Sequence, residues 1–555
     1  MRPRTGIAAF ATLMTTAGVL AAAAAGATAA HASTTAHDNG RPGGPGFGHA
    51  ARLIPGDLLV STSYYRNDPN IVAGTTQLPP GCTGANCVTA IANGNYPYVF
   101  NNVTADASFG VTSPLYLKQI TPSGRPEGVI PVPTSELTTS FSSKSEGALN
   151  LSSDGRNLTF MDYVAAPDTV DASNGNTPGV IDPTNPVPGA YYRAVAQLSA
   201  DGKFTFTETN AYSGNNGRAA VEANVDGKDY YYTAGNAGNG ANPQPTGVIL
   251  GAGTQIITPS DRPEADQTPG QPTPVGSFSV AQLGDKADKV GKDDNFRGLA
   301  LYNNVLYYTK GSGSNGVNTV YFLDTTGTAC PDGVGLPVAG AKLPAAGIES
   351  TLTSTGLASN MCILKGFPTA LAKNATDASD YPFGLWFANP TTLYVADEGA
   401  GDNTYSSTTG SYTAAAASTT AGLQKWVYNS TAGEWQLAYT LQNGLKLGAP
   451  YTVKGYPTGT NSVTNLPWAP ATDGLRNITG KVNPNGTVTI WAVTSTVSGG
   501  GDQGADPNQL VSVTDKLGAA ALPSSERFFT VVAPRYDQVV RGVSFTPGTG
   551  VSNGR

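Results

Sequence analysis

The feature that most limits the fold is a repeat left incomplete at one end of the chain and completed at the other. Short runs with period-two alternation, rich in β-branched and aromatic residues, are separated by Gly, Asn, Asp and Ser turns. This is the pattern of half-buried strands. Examples are FTFTET (204–209), VLYYTK (305–310), TVYFLD (319–324) and TLYVAD (392–397). The runs fall into units of four, with a Gly/Asn-rich loop between the second and third. First strands are expected to begin at Gly147, Arg218, Arg297, Gly384, Arg476 and Arg541. The last, RGVSF, has no partners after it. Near the start, DLLVSTSYY (57–65), LYLKQIT (115–121) and GVIPVP (128–133) resemble second, third and fourth strands that lack a first.

Pairing 541–545 with 57–65 closes the chain into a ring and removes the exposed edges of an open sheet. The expected fold is therefore all-β, a β-propeller of six blades over residues 53–549, or of seven if an insertion hides a degenerate blade. The third blade should use GVILGA (247–252) and FSVAQL (278–283) as its outer strands. Only 369–377 could form a short helix. The Arg-Gly openings at Arg297-Gly298 and Arg541-Gly542, with YPFGLWFANPTTLYVADEG and GLQKWVY, resemble bacterial secreted β-propellers of the broad NHL, SMP-30 and PQQ-like type. The resemblance spans roughly residues 55–547 and implies a central channel with a ligand site at one mouth. It carries over no catalytic signature, because the lyases of that group use histidine.

Histidine is the main chemical exclusion. The three in the chain, His31, His37 and His49, all precede residue 53. The folded body therefore has no Ser-His-Asp or Cys-His machinery and no His-ligated metal. Residues 1–32 read as a secretory signal peptide: Arg2 and Arg4, an apolar run from Ile7 to Ala25, and a small-x-small site at Ala30-His31-Ala32. Residues 33–52 read as a flexible Gly/Pro-rich tether. The expected location is extracellular, with no membrane span. Removing 1–32 takes away two arginines and no acid, changing the formal charge from −7 to −9. That balance argues against nucleic-acid partners, and the protein is expected to act as a monomer. In a secreted chain Cys82, Cys87, Cys330 and Cys362 should form disulfides. Proximity favours Cys82–Cys87 and Cys330–Cys362 among the three possible pairings.

First strands line a propeller's channel, so Arg218, Arg297, Arg476 and Arg541 should point to one mouth. Asp294 and Asp473, each three residues before an Arg, are candidate ion-pair partners and ligand-site members. Two readings follow: a ring of Arg–Asp locks between blades, or a mouth that takes a small anionic ligand or an extracellular glycan, since Arg grips carboxylates in a bidentate fashion. Tyr64, Tyr65, Trp386 and Trp468 could stack on sugars or pack between blades. Asp397, Glu398 and Asp402 in ADEGAGDN form a weak Ca²⁺ candidate; otherwise no cofactor is expected. Glu146, Asp293 and the other mouth acids could supply the carboxylate pair of a glycosidase, or Tyr with Arg could serve a lyase. A scaffold that binds proteins at its rim is the third reading.

Overall fold

A computed structural model describes residues 52–550 except 66–71, 79–82, 84–86, 91–109, 188, 242–250, 262, 264–273, 289–290, 348–358, 375–379 and 501–503. The signal peptide, all of the tether but Arg52, and Cys82 lie outside the described residues. Six antiparallel sheets account for nearly all the structure. Blade 1 is built, from the axis outward, by Gln538–Phe545, Leu58–Tyr64, Leu115–Ile120 and Pro126–Pro131. Leu58 pairs with Phe545 and Val60 with Val543, so the strand nearest the C-terminus completes the N-terminal blade as the split repeat requires.

Blade 2 runs Asn150–Leu151, Asn157–Tyr163, Arg193–Ser199, Phe204–Thr209; blade 3, Gly217–Val225, Lys228–Gly235, Thr254–Ile257, Pro274–Gly276. Blade 4 places Leu299–Tyr302, Val305–Lys310, Thr319–Leu323 and Met361–Leu364 in order, with Val334–Gly335 outermost and parallel to its neighbour. Blade 5 is Pro382–Asn389, Thr392–Asp397, Gly422–Asn429, Glu434–Leu441; blade 6 is Ala471–Val482, Thr487–Val497, Leu510–Lys516, Phe529–Val532.

The core lies between blades rather than along the axis. Leu59, Leu117, Phe160 and Leu198 join blades 1 and 2. Met161 and Val195 meet Ala220, Tyr231 and Ile257 across blades 2 and 3. A continuous cluster runs through blades 3, 4 and 5, and another joins 5 to 6. Trp491 and Val493 pack on Leu58, Val60, Val543 and Phe545, sealing blade 6 to blade 1. Each such side chain, fully buried, contributes about 1.5–3 kcal/mol.

The Arg-Gly opening now has a physical reason. Successive residues of an extended strand face opposite ways. The Arg faces the axis, and the Gly faces the next blade at a distance no side chain fits. A Cβ on Gly298 would strike the Phe383 carbonyl, and one on Gly542 the Gly147 carbonyl.

Four local expectations are corrected. Among the described residues the third strand of blade 3 is Thr254–Ile257; of the expected 247–252, residues 251–252 are not strand and 247–250 lie outside the described residues. Its fourth is Pro274–Gly276, because Val280–Leu283 forms a 3₁₀ turn under a capping box between Ser279 and Gln282. Of the expected helix 369–377, residues 369–374 are not helical and 375–377 lie outside the described residues; the α-helix among the described residues is Thr413–Ala417. The first strand of blade 2 covers only Asn150–Leu151 instead of 147–151. There the chain before it leaves the sheet for the axis. The Cys330–Cys362 disulfide is present, with a Cα–Cα distance of 5.9 Å, and ties the blade 4 insertion to its fourth strand.

Candidate functional site

The four arginines converge. Arg218, Arg297, Arg476 and Arg541 come from the inner faces of blades 3, 4, 6 and 1 and are 2%, 7%, 4% and 4% exposed. The same face of the ring gathers the connections that enter each blade and those between its second and third strands. These include 311–316 and 398–421, whereas turns such as Asn303-Asn304 close the opposite face.

Glu398 and Glu146 reach this centre, and buried Asp162 lies beside Arg541, its pKa pushed well up by burial and by Glu146. Glu398, directly after Thr392–Asp397, accepts from Arg476 Nε at 3.2 Å and lies 3.4 Å from Lys144 Nζ. Burial raises its pKa, but Lys144, Arg476 and Arg297 outweigh that and hold it below the usual carboxylate range. Glu146 is fully buried; it accepts from Tyr163 OH, from Ser143 Oγ, from Asn216 Nδ2 at 2.6 Å and from Ser145 N at 3.2 Å. Burial, and then Glu146, push the Tyr163 hydroxyl well above its ordinary value.

Lys144 and Glu146 sit on the segment that enters blade 2. Arg541 pins that segment by donating to the carbonyls of Ser140 and Phe141, both at 2.6 Å, and of Ser143. Its Nε donates to Ser63 Oγ at 2.9 Å. Arg218 donates to Asn295 Oδ1 at 2.5 Å, to the Phe296 carbonyl at 2.7 Å and to Asn216 Oδ1 at 3.2 Å. Arg297 donates to Ser145 Oγ and Ser312 Oγ. The Nε atoms of Arg218 and Arg297 are buried and have no hydrogen-bond partner.

The expected Arg–Asp pairs do not form. Asp294 accepts from Phe278 N at 2.7 Å and Ser277 Oγ at 2.9 Å, and burial pushes its pKa up to about 8. Asp473 accepts from Gly401 N at 2.8 Å, and burial lifts it to about 7. Asp294 lies in the turn before its strand and Asp473 at an irregularity in its strand, so the three-residue spacing does not bring either acid to its Arg and each instead accepts from a backbone N–H.

The Ca²⁺ candidates are also separated. Asp397 holds the N–H groups of Tyr381 and Gly399 at 2.7 and 2.9 Å, Glu398 faces the axis, and Asp402 caps Thr404 at 2.8 Å. The one group of acids and cysteines with metal-like spacing among the described residues is Asp324 with Cys330 and Cys362, whose sulfurs are committed to the disulfide.

The aromatic residues serve packing. Trp386 lies against Tyr394 and over Gly480, Tyr64 against Tyr116, Tyr65 against Phe141 and Trp468 near Tyr456. The arginines and both axial acids were legible in the sequence; Lys144, Tyr163, Asn216 and Lys310 were not. The one available signal was a lysine closing the otherwise uncharged strand VLYYTK.

The chain matches no protein-family model and no curated protein. Among solved structures it is similar to a thermostable family-43 glycoside hydrolase, with 10% identity over 71% of this chain and 96% of that one and a TM-score of 0.26. A xylan β-1,4-xylosidase from Bacillus halodurans C-125 shares 10% identity over 90% and 97% of the two chains, with a TM-score of 0.26. An ulvan lyase of a new polysaccharide-lyase family shares 13% over 82% and 94%, with a TM-score of 0.30. These proteins are not of the NHL, SMP-30 or PQQ type, so that finer resemblance gains no support. At such TM-scores the likenesses carry no argument about chemistry, and the strand order above is what defines a six-bladed propeller.

Proposed function

We propose that this protein binds an anionic extracellular carbohydrate at the axial mouth. The observation that carries the reading is the charge imbalance there. Lys144, Arg218, Arg297, Lys310, Arg476 and Arg541 gather around Glu146 and Glu398 in a chain of formal charge −7 overall. Burial lowers the pKa of Lys144, Arg218, Arg297 and Arg541, so an incoming anion relieves a cost the folded protein already carries. A cationic centre on an acidic body also attracts anions through its field. The surrounding loops offer Ser, Asn and backbone groups rather than large apolar surface, which suits a polyhydroxylated ligand.

A lock between blades accounts for Arg541, whose donors are taken up by the chain, but not for the orphaned Nε–H groups of Arg218 and Arg297. Catalysis is the second reading. The Tyr163–Glu146 hydrogen bond beside Arg193, whose guanidinium lies 5.2 Å from the Tyr163 ring, favours it. Titration calorimetry against uronate-bearing, sulfated and neutral oligosaccharides, with product chromatography on the same mixtures, tests both. Acidic ligands should bind with an affinity that falls as salt is raised. Equal binding of neutral glycans would remove the proposal, and shortened products would establish the second reading.

A further inference from the structure

The cations at the mouth are not equivalent. Arg476 and Lys144 share Glu398, and Arg541 is consumed by backbone carbonyls. Arg218, Arg297 and Lys310 have neutral partners only, and among the described residues none forms an ion pair within 4.0 Å. Arg297 and Lys310 meet the loop 311–316 (GSGSNG) directly, and Arg218 is linked to it through Asn295. Ser312 takes Arg297 on its hydroxyl and Lys310 Nζ on its carbonyl at 2.9 Å. The same carbonyl accepts from Asn295 Nδ2 at 3.2 Å, and Asn295 Oδ1 in turn holds Arg218 at 2.5 Å. Asn318 Oδ1 takes Lys310 at 3.0 Å. Above this hub Gly313 and Ser314 are exposed. Gly316 has φ 66°, and a Cβ there would lie 3.0 Å from the Asp293 carbonyl oxygen and 3.3 Å from Lys310 Cε, so the loop closes over the lysine only with glycine at this position.

We propose that this triad is an oxyanion subsite for a tetrahedral group, a sulfate or phosphate, carried by the ligand. The proposal deepens the reading of the mouth as an anionic-glycan site and rests on it. A guanidinium with an unpartnered Nε–H from each of two neighbouring blades and an ammonium from the second strand of blade 4 lie close enough to depress one another's protonation. A planar carboxylate has two oxygens and suits one bidentate fork, whereas a tetrahedral group offers three oxygens to three cations. The carboxylates that act on Lys310 do so from beyond ion-pair distance: Asp293 accepts from Val280 N at 3.0 Å through one oxygen and keeps the other buried without a hydrogen bond, and Asp288 reaches Lys373 at 3.4 Å and Gly316 N at 3.3 Å.

The test is titration calorimetry of the full folded chain with inorganic sulfate, inorganic phosphate, sulfated galactan oligosaccharides and oligogalacturonate. Lys310→Met and Ser314→Glu are compared with wild type, and far-UV dichroism and thermal melts report folding. The second variant adds a negative charge at an exposed position and leaves the buried triad intact. The expected result is preference for the sulfated oligosaccharide over oligogalacturonate, with a loss of about tenfold or more in both variants. Oligogalacturonate binding as tightly, or sulfated-ligand affinity unchanged in folded Lys310→Met, overturns the subsite while the mouth reading stands. Inorganic sulfate or phosphate binding that both variants weaken, with no glycan bound, supports the subsite and overturns the glycan reading. No binding of any probe overturns both.

Discussion

Two buried lysines in this propeller have opposite surroundings. Lys425, between blades 5 and 6, is closed. Its ammonium lies 2.9 Å from Asp515, donates to Tyr439 OH at 2.9 Å and reaches the carbonyls of Lys516 and Ala519 at 2.9 and 3.1 Å. Asp515 also accepts from Tyr394 OH and from Tyr439 OH at 2.6 Å. Burial raises the Asp515 pKa, but hydrogen bonds from Glu526, both tyrosines and Lys425 outweigh it and the group is held low. Lys310 at the mouth is equally buried, donates only to neutral oxygens and, among the described residues, forms no ion pair within 4.0 Å, with Asp293 and Asp288 acting on it only from further away. A cation that the fold needs for itself is neutralised within the fold. One left with neutral partners keeps capacity for a charge from outside.

The largest effect should come from opening the closed cluster. Asp515→Ala leaves Lys425 buried without its counter-charge, and such losses cost about 3–5 kcal/mol. Urea unfolding should therefore show a large drop in midpoint, and adding Lys425→Met should restore part of it. A drop below about 1 kcal/mol would mean the pair is solvated and the contrast with Lys310 is empty. Removing the open cation is the opposite case. Lys310→Met gives up two hydrogen bonds and also relieves desolvation, so stability should change by less than about 1 kcal/mol. A loss of several kcal/mol in the same measurement would show that Lys310 belongs to the scaffold.

How much of this was legible depended on scale. Blade membership follows from alternation and turn chemistry, which are local, and strands such as Val305–Lys310, Thr392–Asp397 and Phe204–Thr209 lie where the pattern places them. The seam was legible because Gln538–Phe545 had nothing else to pair with. The fourth strand of blade 4, Met361–Leu364, was not, because the insertion before it hides the repeat until the Cys330–Cys362 bridge brings it back. At the axis the sequence locates the arginines but not their partners. Asp294 and Asp473 are close in sequence and turn away, while Glu398 reaches Arg476 from another blade. Partner choice at a shared axis is set by ring geometry, which no single repeat encodes.

A third, smaller effect concerns pH. Burial, with Arg297, lowers Lys310 to about 7. A bound anion favours the charged ammonium, so ligand binding near and above neutrality should take up a proton, and affinity should weaken as pH rises from 6 to 8. Asp293 at about 6, Asp294 at about 8, and Asp397 and Asp473 at about 7 gain negative charge over the same range and act in the same direction. Calorimetry in two buffers of different ionisation enthalpy reads the proton directly. Lys310→Met should show a smaller uptake, and an unchanged uptake would assign the proton to the aspartates instead.

The smallest effect tests the acid that left the site. Asp294 has a folded pKa of about 8, raised by burial from 3.8. Between those values the native state holds a proton that the unfolded chain has released. The carboxyl's contribution is therefore complete at low pH and fades as pH climbs through about 8. Asn in its place keeps an oxygen for the Phe278 N–H and cannot ionise. Asp294→Asn should be nearly neutral at about pH 4, near the unfolded carboxyl's own pKa of 3.8, and should gain on wild type steadily towards pH 8 in urea titrations. It should also leave anion affinity unchanged at pH 5, where both side chains are uncharged. If the substitution weakened anion binding there while the fold held, Asp294 would act on the mouth after all, and the division between residues that face the ligand and residues that fix the backbone would have to be redrawn.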